Sequence, residues 1–159
     1  MAELNFTEKE LENRETMPWK DERCEAITGG ENKNRFLLYQ LKYSMMNADR
    51  IDIIVSFLME SGVRMLLKDL QRALERGTRI RILTGNYLGI TQPGALYLIK
   101  DALGDQIDLR FYKEKERSFH PKAYIFHKKE FGEIYIGSSN VSRSALTSGI
   151  ERNYHFDVF

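Results

Sequence analysis

The chain has 159 residues, 42% hydrophobic and 30% charged, with a formal net charge of +1, which suits one globular domain with a sizeable core. Cys24 is the only cysteine, so an intrachain disulfide and a multi-cysteine zinc site are excluded. No apolar run approaches the ~20 residues of a membrane span, and the polar, acidic N-terminus does not read as a signal peptide, so no membrane partner and a reducing cytoplasm are expected.

Taken in chain order, residues 1–34 are polar, with Gly29-Gly30 and a Glu/Asn/Lys-rich run, and read as an N-terminal extension outside the core. The domain proper is expected over residues 35–159. Leu37, Leu38, Leu41, Met45 and Ala48 recur at helical spacing over 35–48. Ile51 to Phe57 is β-branched and predicts a buried strand. Val63, Leu66, Leu67, Leu70, Ala73 and Leu74 form one stripe over 61–76, and Gly77 supplies the stop. Arg79 to Thr84 alternates as a strand. Pro93 opens a helix that reaches Leu103 and ends at Gly104. Strands follow over 107–112, 122–127 and 133–136. A helix starts at Ser142, and a last strand runs over 154–159, so that the chain stops inside it, as a domain excised from a longer protein would. Strands alternating with helices predict an α/β fold with a mixed, largely parallel sheet flanked by helices.

Chemistry concentrates in the last quarter. His120 and Lys122 are two residues apart on an expected strand, so both side chains point to one face. An imidazole beside an ammonium is what attack on a phosphate ester needs: a nitrogen nucleophile and a fixed positive charge for the phosphoryl oxygens. Gly137-Ser138-Ser139-Asn140 then supplies small donors just before a helix. Lys113, Lys115, Arg117, Lys128 and Lys129 surround the pair and are candidate substrate contacts for a phosphate backbone; the competing reading of that basic stretch is a solvated loop between two strands. His120, His127 and His155 lack a carboxylate or cysteine cluster at ligand spacing, so no metal and no cofactor are assigned.

The string Ser118-Phe-His-Pro-Lys-Ala-Tyr-Ile-Phe126, with Gly137-Ser-Ser-Asn140 and Glu151 downstream, resembles the phospholipase D superfamily, whose signature is His-x-Lys followed by Gly-Ser-x-Asn. It is most similar to the nuclease branch, the domain at the N-terminus of some bacterial DEAD/DEAH-box helicases and related restriction endonucleases. The resemblance implies a phospholipase D-like fold and a phosphohistidine formed on His120 without a metal ion. It implies Lys122 and Asn140 on the phosphoryl oxygens, Ser138 steadying the histidine or the carboxylate behind it, and Glu151 hydrogen-bonded to His120. The family often carries an aspartate where this chain has His127, and that aspartate is mainly structural. The family also uses two His-x-Lys motifs. One is read here with that role, His120-Pro121-Lys122, so a homodimer with a composite site is expected.

These features together predict a metal-independent phosphodiesterase, a DNA endonuclease module of a restriction or defence helicase. The rivals are a non-catalytic DNA-binding or dimerisation module of the same fold and a lipid-directed phospholipase.

Overall fold

The computed structural model describes residues 25–28, 36–114 and 116–158. The remainder of the expected polar extension lies outside the described residues. Three helices form where the apolar stripes predict them: α1 (Leu37–Met46), α2 (Glu60–Glu75) and α3 (Pro93–Leu103). The strands in chain order are β1 (Glu25–Thr28), β2 (Arg50–Val55), β3 (Arg79–Thr84), β4 (Ile107–Phe111), β5 (Lys122–His127), β6 (Gly132–Gly137) and β7 (Glu151–Val158), with a one-turn helix α4 (Arg143–Leu146) before the last. β1 was not expected. It falls within the polar extension and pairs antiparallel with β7, Glu25 opposite Tyr154 and Thr28 opposite Glu151.

All seven strands form one mixed sheet in the order β1-β7-β6-β5-β2-β3-β4. Its parallel part is smaller than the sequence suggests, for only β2–β3 and β3–β4 are parallel. The reason lies in the connections. A parallel neighbour needs a crossover of a dozen residues or so, which α2 and α3 supply. Only residues 128–131 separate β5 from β6, so that pair is a hairpin and must be antiparallel. Segment 112–121 shows no helix among its described residues and leads from the end of β4 past β3 and β2 to the start of β5, which therefore runs antiparallel to β2.

The two crossovers step in the same direction, β2 to β3 to β4, so their right-handedness sets α2 and α3 on the same face. α1 packs against α2 on that face. The sheet meets this layer with alternate residues: Ile51, Ile53 and Val55, Ile80 and Ile82, Ile107, Tyr124 and Phe126, and Tyr135, all buried. Fully burying an aliphatic side chain of this size contributes about 1.5–3 kcal/mol, so this layer holds the fold together. The opposite face carries an ion-pair array at one end. Asp52 is held by Arg81 through two hydrogen bonds, Nε to Oδ1 at 2.6 Å and Nη2 to Oδ2 at 2.8 Å. Arg50 Nε lies 3.3 Å and His127 Nε2 2.9 Å from Asp52 Oδ2. Burial pushes the Asp52 carboxyl up, but the hydrogen bonds from Arg81 and His127 and the two arginine charges outweigh it and hold the group below its ordinary range. His127, which takes the position where the family often has an aspartate, thus points to the far face and meets an aspartate supplied by the neighbouring strand.

One helix contact positions the next element of interest. Leu58 and Val141 form an isolated parallel bridge, and Gly62 in the first turn of α2 presses on it, so that a Cβ at 62 would overlap the backbone of Val141 and Ser142.

Two predictions follow from this packing. Gly62→Ala gains about 1 kcal/mol of helix propensity, but it must push Val141 away, an overpacking cost of about 1–3 kcal/mol. The variant should unfold at lower urea concentration than the wild type; equal or higher stability would show that the backbone yields freely there. Asp52→Asn should cost about 2 kcal/mol at neutral pH through lost charged hydrogen bonds. Because the folded-state pKa of Asp52 is depressed, its contribution is complete above the unfolded carboxyl value of about 4 and disappears as pH falls through the lower folded value. The stability gap between wild type and variant should therefore close in acid, as read by urea titrations at successive pH values.

Candidate active site

The site lies where β2, β3 and β4 end and β5 begins. β2 stops at Val55, and the next two amides, Ser56 N–H and Phe57 N–H, both donate to Asn140 Oδ1, at 3.0 and 3.2 Å. Two N–H donors can meet only the oxygen of a carboxamide, so they fix which way the amide faces. Its Nδ2 meets no acceptor among the described residues. Asn140 itself is buried at the foot of the site. Ser56 Oγ donates to Pro121 O at 3.2 Å. Ser56 thus ties the Gly-Ser-x-Asn turn to the His-x-Lys strand.

Lys122 faces Val55 in register and lies on the helix-covered face with Tyr124 and Phe126. Its Nζ is 2.8 Å from His120 Nε2 and donates to His120 O at 3.0 Å. An ammonium has only donors, so Nε2 accepts and the ring proton sits on Nδ1. Burial pushes the Lys122 ammonium below the usual lysine range, and the charge of Glu151 opposes that shift. His120 itself precedes the strand and is exposed.

The Gly-Ser-Ser-Asn turn is built from within. A Cβ at Gly137 would run into Arg152 O and Asn153, so β7 can approach only because the residue is glycine. Ser138 Oγ donates to Glu151 Oε2 and accepts from Arg152 N–H at 3.1 Å. Ser139 Oγ donates to Ala145 O and accepts from Asn153 Nδ2, at 3.2 and 2.9 Å, while Tyr124 OH donates to Ser139 O at 3.1 Å. Burial, with Glu151 adding to it, raises the Tyr124 phenol far above its usual range. Ser142 caps α4 by accepting from Ala145 N–H at 3.2 Å.

The structure brings His120 and Lys122 together, and it brings Ser138 and Glu151 together. Asn140 reaches the His-x-Lys strand through Ser56 and Pro121. One expected contact is not made: Glu151 bonds Ser138, and no hydrogen bond joins it to His120. The basic residues divide. Lys113 and Arg117 are exposed on segment 112–121, at the His120 end of the sheet, with Arg117 Nε 3.7 Å from Glu114 Oε1. Lys115 lies outside the described residues. Lys128 follows the far end of β5, where its side chain is only 8% exposed and pairs with Glu133 at 2.9 Å. It is a structural counter-ion and not a surface contact, and its neighbour Lys129, though exposed, lies at the same far end. The three histidines do not converge: His127 is at that far end on the opposite face, and His155 stacks on Tyr135 at 4.6 Å.

Asn153, which donates to Ser139 Oγ, is a neighbour of the turn that motif reading passes over. Tyr87 is likewise passed over, its ring 4.3 Å from the His120 imidazole.

Residues 41–158 match the family model described as cardiolipin synthase, PLD-like domain. No curated protein matches the chain significantly. The crystal structure of phosphatidylserine synthase from Haemophilus influenzae Rd KW20 is similar at a TM-score of 0.61 and 17% identity, over 86% of this chain and 34% of that one. Polyphosphate kinase from Porphyromonas gingivalis is similar at 0.54 and 19%, over 74% and 17%. The archaeal chromatin protein TrmBL2 is similar at 0.50 and 18%, over 90% and 48%. At these identities the likeness is one of fold, and this chain spans less than half of each of those chains. The family match takes in the His-x-Lys strand, the Gly-Ser-x-Asn turn and Glu151 together, and with the fold it establishes that the chain belongs to the phospholipase D superfamily of phosphodiesterase-type enzymes.

Proposed function

We propose that this domain is a metal-independent DNA endonuclease module that cleaves phosphodiesters through a phosphohistidine on His120, as part of a cytoplasmic restriction or defence helicase. The observation that carries the reading is the His120 Nε2 to Lys122 Nζ approach of 2.8 Å beside a carboxamide whose oxygen is already spoken for. A non-bridging phosphate oxygen arriving at Nζ would take over its proton contacts and release the Nε2 lone pair. Nε2 then forms a bond to phosphorus while the leaving oxygen departs with a proton. Water hydrolyses the P–N bond in a second displacement and restores the imidazole. Lys122 and Asn140 Nδ2 would hold the charge that gathers on the phosphoryl oxygens, a role that needs no divalent ion.

The proton for the leaving oxygen requires a second imidazole. The other His-x-Lys string of the chain, His127-Lys128-Lys129, lies at the far end of β5 with His127 held by Asp52, so a two-fold dimer would supply the second imidazole from the His120 of another copy. Lys113 and Arg117, exposed at the same end of the sheet, would follow the DNA backbone. The match to a cardiolipin synthase domain model supports a second reading, phospholipid as the phosphodiester, with the same residues in the same roles. Among the described residues no helix is long and apolar enough to cross a membrane.

Purified protein should nick plasmid DNA in the presence of EDTA and leave a phospholipid substrate untouched. Lys122→Ala should lose about 10²- to 10³-fold in rate, and His120→Ala should lose all cleavage while keeping its circular dichroism and thermal midpoint. Strict Mg²⁺ dependence would overturn the mechanism, and turnover of lipid but not DNA would favour the second reading. A separate expectation concerns assembly. If each site needs both imidazoles, mixing wild type with His120→Ala under conditions of subunit exchange should lower activity as the square of the wild-type fraction. A linear decline would mean that one chain suffices.

A further inference from the structure

His120 leads into β5 as an exposed residue, its backbone ahead of the strand ladder and its ring met from the strand by Lys122 Nζ. One element outside the motifs reaches it. After β3 the chain makes a short 3₁₀ turn, Tyr87–Gly89, and the Tyr87 ring lies 4.3 Å from the His120 imidazole, tilted by 49°. The turn is heavily braced. Tyr87 N–H points at Ser56 O at 3.5 Å, and Gly89 N–H and Ile90 N–H bond back to Asn86 O and Tyr87 O, each at 3.1 Å. Thr91 N–H donates to Asn86 Oδ1 at 3.2 Å, Thr91 Oγ1 donates to Gly85 O, and Leu58 N–H donates to Thr91 Oγ1 at 3.3 Å.

This bracing forces Leu88 into the left-handed region, φ 52°, the one such non-glycine among the described residues. That conformation costs a leucine about 1–2 kcal/mol, and its side chain is 78% exposed, so no burial offsets the cost. What the strained turn does achieve is the placement of the residue before it. The other side of segment 112–121 is clamped too: Phe119 stacks on Tyr112 at 4.7 Å and sits over Gly85, where any Cβ would come within 2.9 Å of its ring.

Resting on the phosphodiesterase reading above, we propose that Tyr87 is a positioning residue for the nucleophile, its ring face holding the His120 imidazole with Nε2 turned toward Lys122 and the incoming phosphorus. The hydroxyl takes no part; the aromatic face does the work. An imidazole free to rotate would spend most of its time out of line, and misplacement of a reacting group by about 1 Å costs on the order of 10²-fold.

The test compares Tyr87→Ala, Tyr87→Leu and Tyr87→Phe in cleavage of a DNA oligonucleotide, together with NMR spectra of the histidine imidazoles. Ala and Leu should lower kcat by about 30-fold with KM moved less than about threefold and thermal midpoints held. Phe should recover kcat to within about threefold. In the spectra the His120 ring signals should move when the ring current of residue 87 is lost, in Ala and Leu but not in Phe, while those of His127 and His155 stay in place. Unchanged kcat in both Ala and Leu, unmoved His120 signals, or a Phe variant as slow as Ala would overturn the proposal, the last because it would assign the role to the hydroxyl. An active wild type with unaffected variants defeats this inference alone, whereas a wild type that cleaves no phosphodiester defeats the reading on which it rests.

Discussion

A strand that ends inside a protein leaves amides that water cannot reach, and each must find an acceptor or cost about 1–3 kcal/mol. β2 lies inside this sheet, between β5 and β3, and ends under the candidate site. Its two trailing N–H groups converge on one atom, Asn140 Oδ1. The arrangement serves the backbone and the chemistry at once. With the oxygen committed, the carboxamide presents only its NH₂ to a ligand, and it cannot flip without stranding both donors. Ser56 extends the same node to Pro121, so the two halves of the motif, distant in the chain, are referenced to one strand end.

The mixed sheet makes this possible. Parallel strands β2, β3 and β4 bring their C-terminal ends to one edge, where open α/β sheets build their sites. The antiparallel half then delivers β5 starting at that edge and β6 ending there. His120 and Asn140 therefore arrive at the same place from opposite directions along the chain. An all-parallel continuation would have put the beginning of β5 at the other end of the sheet.

Elements whose cause is local were legible in the sequence. The bounds of β3, α3 and β5 coincide with the alternation, the proline and the glycine that predict them. The His120–Lys122 pairing was expected from their two-residue spacing on a strand, and the two side chains do meet, although the strand itself begins only at Lys122. What escaped depends on partners far away in sequence. The role of Ser56 comes from residues 65 and 84 positions on, and that of Tyr87 from a histidine just ahead of β5. β1 was hidden in a polar stretch because an edge strand needs no apolar stripe, only a neighbour with free backbone groups. Lys128 looked like one more charge in a basic run. Its burial is decided across the hairpin by Glu133, where burial raises the carboxyl while Ser44 and Lys128 hold it below its ordinary range. Opposite charges flanking a four-residue connection were the clue available.

The central place of β2 also bears on how the chain is made. Until residue 122 has left the ribosome, β2 has β3 on one side and nothing on the other, and its run Ile51, Ile53, Ile54 and Val55 is an apolar, β-branched open edge. Such an edge is a template for pairing with another chain. Its last two amides wait longer still, for an acceptor synthesised 84 positions after Ser56. At about 5–20 residues per second that interval lasts several seconds, during which the half-made protein carries both the seam of its future active site and its greatest exposure to misassembly.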